Sequence, residues 1–147
     1  MYRHILVPTD GSPASRSATR AAARFAKSIG AKVTSIHVTP PFRPAAAGFT
    51  MPYETLSSAR YDASFAESAA KALAQAEQVC KEVGVTWQGL HIVDDEPYRA
   101  IIACAQRKRC DLILMASHGR RGVAALLLGS DTTKVLTHSK VPVMVYR

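Results

Sequence analysis

The spacing of hydrophobic residues in this chain alternates repeatedly between two periods, and that alternation is the strongest constraint on its fold. Short runs rich in β-branched residues are typical of strands, whereas longer stretches with apolar residues every three or four positions are typical of helices. Read along the chain, the two patterns give the order β-α-β-α-β-α-β-α-β. Strands that alternate with helices in this way form an open parallel sheet with helices on both faces. The spacing therefore predicts an α/β fold with five parallel strands.

The same pattern gives approximate limits for each element. The predicted strands cover Tyr2 to Val7, Lys32 to Val38, Val85 to Val93, Asp111 to Ala116 and Val141 to Tyr146. The predicted helices run from Pro13 to Ile29, from about residue 56 to 83, from Pro97 to about Lys108 and from Ser130 or Asp131 to Thr137, with a short apolar helical stretch over 123–128. Between the second strand and the second helix, the proline-rich stretch from Thr39 to Thr55 predicts a long loop, and such loops are usually functional or mobile.

The composition is that of one soluble globular domain spanning residues 1–147. Hydrophobic residues make up 48% and charged residues 20%, and a chain of 147 residues can bury an adequate core without disulfides or a structural metal. No apolar run approaches the roughly 20 residues that a membrane helix needs. The first residues lack the features of a signal peptide, so we expect a cytoplasmic protein with no membrane partner.

Net charge, cysteines and histidines limit which partners and which metal sites the chain can have. The net charge of +8 suits a phosphate-bearing partner. Arg16, Arg20 and Arg24 recur at four-residue spacing as one solvated helix stripe, and no aromatic residues are interleaved to stack on bases, so nucleic acid is not expected. The three cysteines form no C-x2-C pair and predict buried core residues. No histidine pair has helical metal-ligand spacing, so we expect no metal cage built from protein ligands alone.

A glycine-rich segment follows the fourth predicted strand. Gly119, Gly122 and Gly129 can adopt positive φ and turn backbone N–H groups towards a common anion. Ser130 or Asp131 then caps a helix whose N-terminus favours a phosphate. The alternative is that these glycines only end the strand and separate two helices.

A second polar segment follows the first predicted strand. Asp10 stands where that strand ends, and there a carboxylate can accept a hydrogen bond from a ribose hydroxyl or hold a metal beside phosphates. Its alternative role is an Asx turn before the first helix. Ligands of open α/β sheets bind at the carboxyl ends of the strands, where the strand order reverses. The two segments are therefore expected to meet in one crevice.

Several familiar sites are excluded by their motifs. The chain has no G-x-x-x-x-G-K-[ST] phosphate loop, no G-x-G-x-x-G after the first strand and no G-x-S-x-G nucleophile turn. His118 is the one histidine beside the glycine segment, and no serine and aspartate partners are suggested for it. Nothing in the sequence indicates a covalent catalyst.

These residues resemble the universal stress protein family. The opening Ile5-Leu6-Val7-Pro8-Thr9-Asp10-Gly11-Ser12 is similar to that family's first strand and turn. ATP-binding members carry G-x2-G-x9-G-[ST] after strand four, and the matching stretch here runs from Ala116 through Gly119 to Gly129-Ser130 with every spacing kept. Val141-Pro142-Val143 is similar to the family's last strand. The resemblance covers the whole chain.

The resemblance implies an adenine-nucleotide α-hydrolase-like sheet of order 3-2-1-4-5 that binds ATP with Mg²⁺. It also implies a homodimer formed through the last strand, Val141 to Tyr146. Asp10 would then lie near the ribose and phosphates, and Val38 would meet the adenine through its backbone. The full set of implied nucleotide-binding residues is Pro8, Thr9, Asp10, Val38, Met115, Ala116, His118, Gly119, Arg120, Arg121, Gly129, Ser130, Asp131 and Thr132.

Two positions depart from the family pattern in chemically meaningful ways. Ala116 replaces the first glycine. A methyl group there costs little if the backbone is an ordinary strand, and about 1 kcal/mol or more if the position needs positive φ. Asp131 places a carboxylate beside the expected phosphates, which it repels unless it turns away or binds the metal.

The sequence is compatible with four functions. The first is a nucleotide-binding regulatory module in stress response, and the second is a slow ATPase of the same fold, for which Asp10 and His118 are the only candidate bases. The third is an interaction protein with a degenerate site, marked by Ala116 and Asp131. The fourth is a nucleic-acid binder, which rests on the charge alone.

Overall fold

The computed structural model describes residues 1–43, 58–119 and 128–147. The described elements are β1 (His4–Pro8), α1 (Pro13–Ile29), β2 (Lys32–Thr39), α2 (Ser58–Val83), β3 (Trp87–Val93), α3 (Pro97–Arg107), β4 (Leu112–Ala116), α4 (Ser130–His138) and β5 (Val143–Tyr146). The predicted order of elements is confirmed. Most of the predicted 39–55 loop and nearly all of the predicted 123–128 helical stretch lie outside the described residues, and Leu128 is not helical.

The five strands form one parallel sheet in the order β3-β2-β1-β4-β5. β1 lies at the centre, with Leu6 aligned to Thr34 of β2 on one side and to Ile113 of β4 on the other. The chain leaves β1 towards β2, and after β3 it crosses to β4. The strand order therefore reverses between β1 and β4, and this is the position at which open α/β sheets bind ligands.

Side chains alternate between the two faces of the sheet and divide the core in two. Ile5 and Leu114 pack with α1 and α2 on one face. Leu6 and Ile113 pack with α3 and α4 on the other. Because central strands are covered on both faces, β4 is apolar throughout, as the sequence predicts. The three cysteines are buried in these two clusters, as expected.

Local hydrogen bonding explains where several element ends differ from the prediction. Asp111 does not extend β4, because its carboxylate accepts hydrogen bonds from the N–H groups of Arg3 and His4 and thereby delays the start of β1 as well. Val85 precedes β3, since its N–H donates to Cys80 O and closes the end of α2. The predicted final strand is two residues too long at its start, where Val141 N donates to Ser139 Oγ in a turn.

The edge strand β3 carries the single tryptophan of the chain. Trp87 lies along the α2 side of the sheet and donates from Nε1 to the buried Ser35 Oγ at 2.9 Å. Gly89, two residues further on the same face, leaves the space that the indole occupies: a β-carbon on Gly89 would stand 2.5 Å from the Trp87 ring.

α1 begins and ends as the sequence predicts. Ser12 Oγ accepts from Ser15 N at 3.1 Å, with Pro13 at the first helical position. Gly30 ends the helix at φ +69°. Among the described helices, none is long and apolar enough to cross a membrane.

Candidate functional site

The segments after β1 and β4 meet in one crevice, as predicted. Asp10 lies beyond the end of β1 and Gly119 beyond the end of β4. A β-carbon on Gly119 would stand only 2.6 Å from Asp10 Oδ2, so the backbone of the glycine segment passes directly beside the carboxylate. With any other residue at position 119, the Asp10 carboxylate would have to shift.

Asp10 combines both roles that the sequence left open. Its Oδ1 accepts from Ser12 N at 2.9 Å, which is the Asx turn that leads into α1. Its Oδ2 lies against Gly119 on the crevice side. The turn holds the carboxylate in place, and so the local capping function also orients the group that faces the crevice.

Val38 lies at the open side of β2. Thr9 N donates to Ile36 O at 2.9 Å, which shows that even-numbered residues of β2 direct their backbone groups towards β1. Val38 follows two residues later and has the same orientation, but β1 has already ended at Pro8. Its backbone N–H and C=O therefore face the switch point, where they can form the paired hydrogen bonds that a planar base edge accepts and donates.

His37 belongs to this region and was not predicted from the sequence. It is buried, and its Nδ1 donates to Thr9 O at 2.8 Å, which tethers the segment that carries Asp10 to β2. The neighbouring His91 bonds through Nε2 to Thr39 Oγ1 at 2.7 Å. The only signal in the sequence is a histidine inside an otherwise small and β-branched strand, which is compatible with an ordinary core position.

Ala116 occupies an ordinary strand position. It is the last residue of β4, is 8% exposed and packs in the core on the α1 side. It does not have positive φ. Of the two cases considered for Ala116, the one with a small free-energy cost therefore applies. The methyl group packs in the core, and a glycine is not needed at this position for its backbone conformation.

The expectation of positive φ at the glycines is wrong for the two that the structure describes. Gly129 has φ −60°, and Gly119 is not in the left-handed region. At Gly129, as at Gly119, the reason is space: a β-carbon would stand 3.3 Å from His118 Cα, and Gly129 N donates to Ser117 O at 2.7 Å. These contacts bring the start of α4 against the end of β4.

Gly129, rather than Ser130 or Asp131, is the N-cap of α4. Glycine has no side chain to cap the first-turn N–H groups, and no other described side chain caps them, so the positive end of the helix dipole would favour an anion there. Ser130 is exposed in this first turn, and the half-buried Asp131 follows it. The Thr132 hydroxyl is buried and donates to Ala116 O at 3.1 Å, which anchors the helix to the strand.

The remaining predicted residues lie in three places. Pro8 is the last residue of β1 and Met115 the last but one of β4, and the Met115 side chain is buried against α3 and α4. His118 borders the crevice, with Nδ1 paired to Ser117 Oγ at 3.0 Å. Arg120 and Arg121, together with Gly122, lie outside the described residues.

These features define a class of protein: an open α/β sheet whose switch point brings together a held carboxylate, a helix N-terminus without a side-chain cap among the described residues, and the backbone groups of β2 beyond the end of β1. A model of the universal stress protein family matches residues 1–147. The chain belongs to the universal stress protein family.

Individual relatives agree with this assignment. The chain is 30% identical to universal stress protein MJ0531 of Methanocaldococcus jannaschii, over 100% of this chain and 83% of that protein. Among solved structures, MJ0577 of the same organism superimposes with a TM-score of 0.81 at 26% identity, covering 99% of this chain and 95% of the other.

Two further structural neighbours were solved with adenine nucleotides. A universal stress protein in complex with cAMP has a TM-score of 0.72 at 23% identity, covering 99% of this chain and 97% of the other. A universal stress protein of Archaeoglobus fulgidus in complex with dAMP has a TM-score of 0.70 at 21% identity, covering 99% and 98%. Because both sequence identities are low, these two neighbours show that the fold is shared and nothing further about this chain.

Proposed function

We propose that this protein is a regulatory module that binds an adenine nucleotide, ATP with Mg²⁺, at the carboxyl ends of β1, β2 and β4. The observation that carries the proposal is the approach of Gly119 to Asp10, because it joins the two segments of the family's ATP-binding pattern in one crevice. Structures of family members in complex with cAMP and with dAMP support an adenine nucleotide as the ligand class.

Each part of the crevice matches one part of the nucleotide. The backbone of Val38 meets the adenine edge, and the Asp10 carboxylate accepts from ribose hydroxyls. The first turn of α4, from Ser130 onwards, receives the phosphates through its N–H groups and dipole. The glycines at 119 and 129 let the backbone approach the ligand without a side chain in the way.

The position of Asp131 explains why a divalent metal ion would accompany the nucleotide. A carboxylate in the first turn of α4 repels a bare triphosphate, whereas a divalent cation between the two reverses that interaction. Mg²⁺ commonly binds through one or two carboxylates together with phosphate oxygens and water. Mg²⁺ would therefore arrive with the nucleotide, and Asp131 and Asp10 are the carboxylates within the crevice that could contact it.

Calorimetric titration of nucleotide-stripped protein tests the proposal. Mg-ATP should bind, and Gly129→Val should weaken it at least about tenfold, because the larger side chain stands against His118 and the phosphate path. Gly30→Ala is the control: it strains a positive-φ position remote from the crevice and should lower the melting temperature without changing the affinity. Unchanged affinity in Gly129→Val would refute the site.

The titrations, together with assays of phosphate release and DNA binding, distinguish the proposed function from its alternatives. Absence of heat with ATP, AMP and cAMP, together with an unchanged melting temperature, would favour an interaction protein with a degenerate site. Release of phosphate that disappears in Asp10→Ala while ATP still binds would favour a slow ATPase. A steep salt dependence of DNA binding is what a nucleic-acid binder requires.

We further propose that the protein forms a homodimer through β5. This strand is at the edge of the sheet, and Met144 and Tyr146 are each 41% exposed. Ser117 N donates to Tyr146 O and Ile113 N to Pro142 O, so even-numbered β5 residues face β4 and Val145 directs its N–H outwards. An exposed strand edge of this kind is a template for pairing.

Analytical ultracentrifugation tests the dimer. Val145→Pro removes the outward N–H and should yield monomers, whereas Val145→Thr keeps that donor and should remain dimeric. If the wild-type protein sediments as a monomer at all concentrations, or if Val145→Pro remains dimeric, β5 is not the interface.

A further inference from the structure

The peptide groups on the two sides of Thr9 are both held by β2. Thr9 N donates to Ile36 O at 2.9 Å, and Thr9 O accepts from His37 Nδ1 at 2.8 Å. Two successive residues of β2 therefore hold the chain where it leaves β1, one through its backbone and the other through its side chain. Thr9 is 6% exposed and His37 is 5% exposed, so bulk water competes little for the second bond.

The proton in the bond between His37 and Thr9 belongs to the imidazole. A carbonyl oxygen can only accept, so Nδ1 carries a proton whether the ring is neutral or charged. If the side chain at position 37 lost this donor, it would leave the buried carbonyl of Thr9 without the bond that directs it.

Other contacts of this turn are local and do not fix its position relative to the sheet. Gly11 N donates to Thr9 Oγ1 at 3.3 Å, and Ser12 N donates to Asp10 Oδ1 at 2.9 Å. Each bond joins residues two positions apart, so the turn can keep its shape while it rotates about the end of β1. The Thr9 carbonyl lies in the same peptide plane as Asp10 N, and its direction therefore sets how Asp10 leaves the strand.

We propose that His37 is a positioning residue for nucleotide binding, a role that rests on the proposed function, in which Asp10 accepts hydrogen bonds from ribose hydroxyls. By fixing the Thr9 carbonyl, His37 directs the Asp10 carboxylate towards the ribose without contacting the nucleotide itself. A carboxylate that can rotate with the turn must be ordered when the nucleotide binds, and a carboxylate held in advance avoids that cost.

Two nearly isosteric substitutions separate the hydrogen bond from the volume of the side chain. His37→Asn keeps an N–H donor at the same number of bonds from the backbone as Nδ1, whereas His37→Leu has none. In calorimetric titrations, we expect His37→Leu to weaken Mg-ATP at least about tenfold and His37→Asn to stay within about threefold of the wild type. A loss of packing alone would not be rescued by asparagine.

His4→Leu is the matched control. His4 is also buried and also forms a hydrogen bond through its ring, to Thr34 Oγ1 at 2.7 Å. It is the first residue of β1, whereas Asp10 lies beyond the other end of that strand. The substitution should lower the melting temperature and leave the affinity for Mg-ATP unchanged.

A second ligand and a double substitution test whether His37 acts through Asp10. Dideoxy-ATP lacks both ribose hydroxyls that Asp10 would contact. His37→Leu should therefore weaken ATP but bind dideoxy-ATP as tightly as the wild type does. In an Asp10→Asn background, which keeps an acceptor oxygen for Ser12 N, His37→Leu should have no further effect on ATP.

Three results would contradict this role, and each has a different meaning. Equal affinity of the wild type and His37→Leu for Mg-ATP would show that Asp10 needs no tether, and the nucleotide site would still stand. Equal weakening of ATP and dideoxy-ATP in His37→Leu, without rescue by His37→Asn, would show that His37 only supports the packing of β2. Absence of ATP binding in the wild-type protein would refute the proposed function and the role of His37 with it.

Discussion

The carboxylate of Asp10 lies directly against Gly119: a β-carbon on Gly119 would stand 2.6 Å from Asp10 Oδ2. Asp10 is held on its other side by Ser12 N. The strand-end turn after β1 and the glycine segment after β4 thus depend on each other for their positions.

This relationship predicts the effect of Gly119→Ala. The added methyl group should displace the Asp10 carboxylate, because the β-carbon would otherwise stand 2.6 Å from Oδ2. We expect Mg-ATP affinity to fall about tenfold or more while the urea midpoint changes little. Calorimetric titration and urea unfolding of the same sample measure both. Wild-type affinity in this variant would show that Asp10 does not contact the nucleotide.

The packing of Trp87 over Gly89 predicts a second variant. Gly89→Ala places a methyl group 2.5 Å from the indole, so the ring must leave its position and lose the hydrogen bond to Ser35. We expect a destabilisation of about 1–3 kcal/mol, as for an overpacked core. Because Trp87 is the only tryptophan, its fluorescence reports the movement directly.

A paired substitution gives the control for this packing argument. Trp87→Phe combined with Gly89→Ala should recover part of the lost stability, since the smaller ring leaves room for the methyl group. If Gly89→Ala alone leaves both the emission maximum and the free energy of unfolding unchanged, the strand relaxes and the packing explanation is wrong.

The environment of His4 predicts a pH dependence of stability. The pKa of its imidazole lies below the ordinary value of 6.5, first because burial disfavours the charged ring and then because Lys32 repels a second positive charge; Asp111 acts in the opposite direction. The unfolded chain therefore binds more protons than the folded one near and below pH 6.5, and the free energy of unfolding falls as the pH drops through that range.

Urea unfolding at a series of pH values measures this contribution. His4→Gln should lower stability at neutral pH, because the bond to Thr34 Oγ1 at 2.7 Å is altered, but it should flatten the decline below pH 6.5. His138→Gln, at an exposed position of α4, should leave the decline unchanged. An equal slope in wild type and His4→Gln would assign the pH dependence to other groups.

The buried cysteines predict low reactivity in the folded protein. Burial raises the pKa of Cys80 to about 11 and that of Cys110 to about 12, and it raises the pKa of Cys104 as well. The thiolate is the reactive form, so alkylation at pH 8 should be slow until the chain unfolds. Mass spectrometry of iodoacetamide-treated protein, with and without urea, checks this. Rapid native labelling of any of the three would contradict the assigned burial.

The element order, the buried β4 and the ends of α1 could all be predicted from the sequence because they arise from short-range physics. Side-chain periods of two and of three to four set which residues share a face, and a serine before a proline or a glycine after a helix acts within a few bonds. The predicted element ends were wrong where distant residues competed for the same backbone groups, as Asp111 does with the N–H groups of Arg3 and His4.

The candidate site was predicted only in part for a related reason. Asp10, Gly119 and Gly129 were predicted from strand-end chemistry and spacing, but the positive φ considered for Gly119 and Gly129 is not what the structure shows. His37 was missed, because nothing in the residues around it distinguishes a histidine that tethers two strands from one that fills the core.

Local sequence thus determined the succession of strands and helices and the chemistry available at each strand end. Only the tertiary structure decided that Gly119 lies directly beside the Asp10 carboxylate, that Ala116 is a buried strand residue, and that the Gln75 side-chain oxygen is buried without a partner among the described residues. The physical reason is that periodicity and capping act over a few residues along the chain. The clearance between two side chains from distant segments depends instead on strand order and on how the helices pack against the sheet.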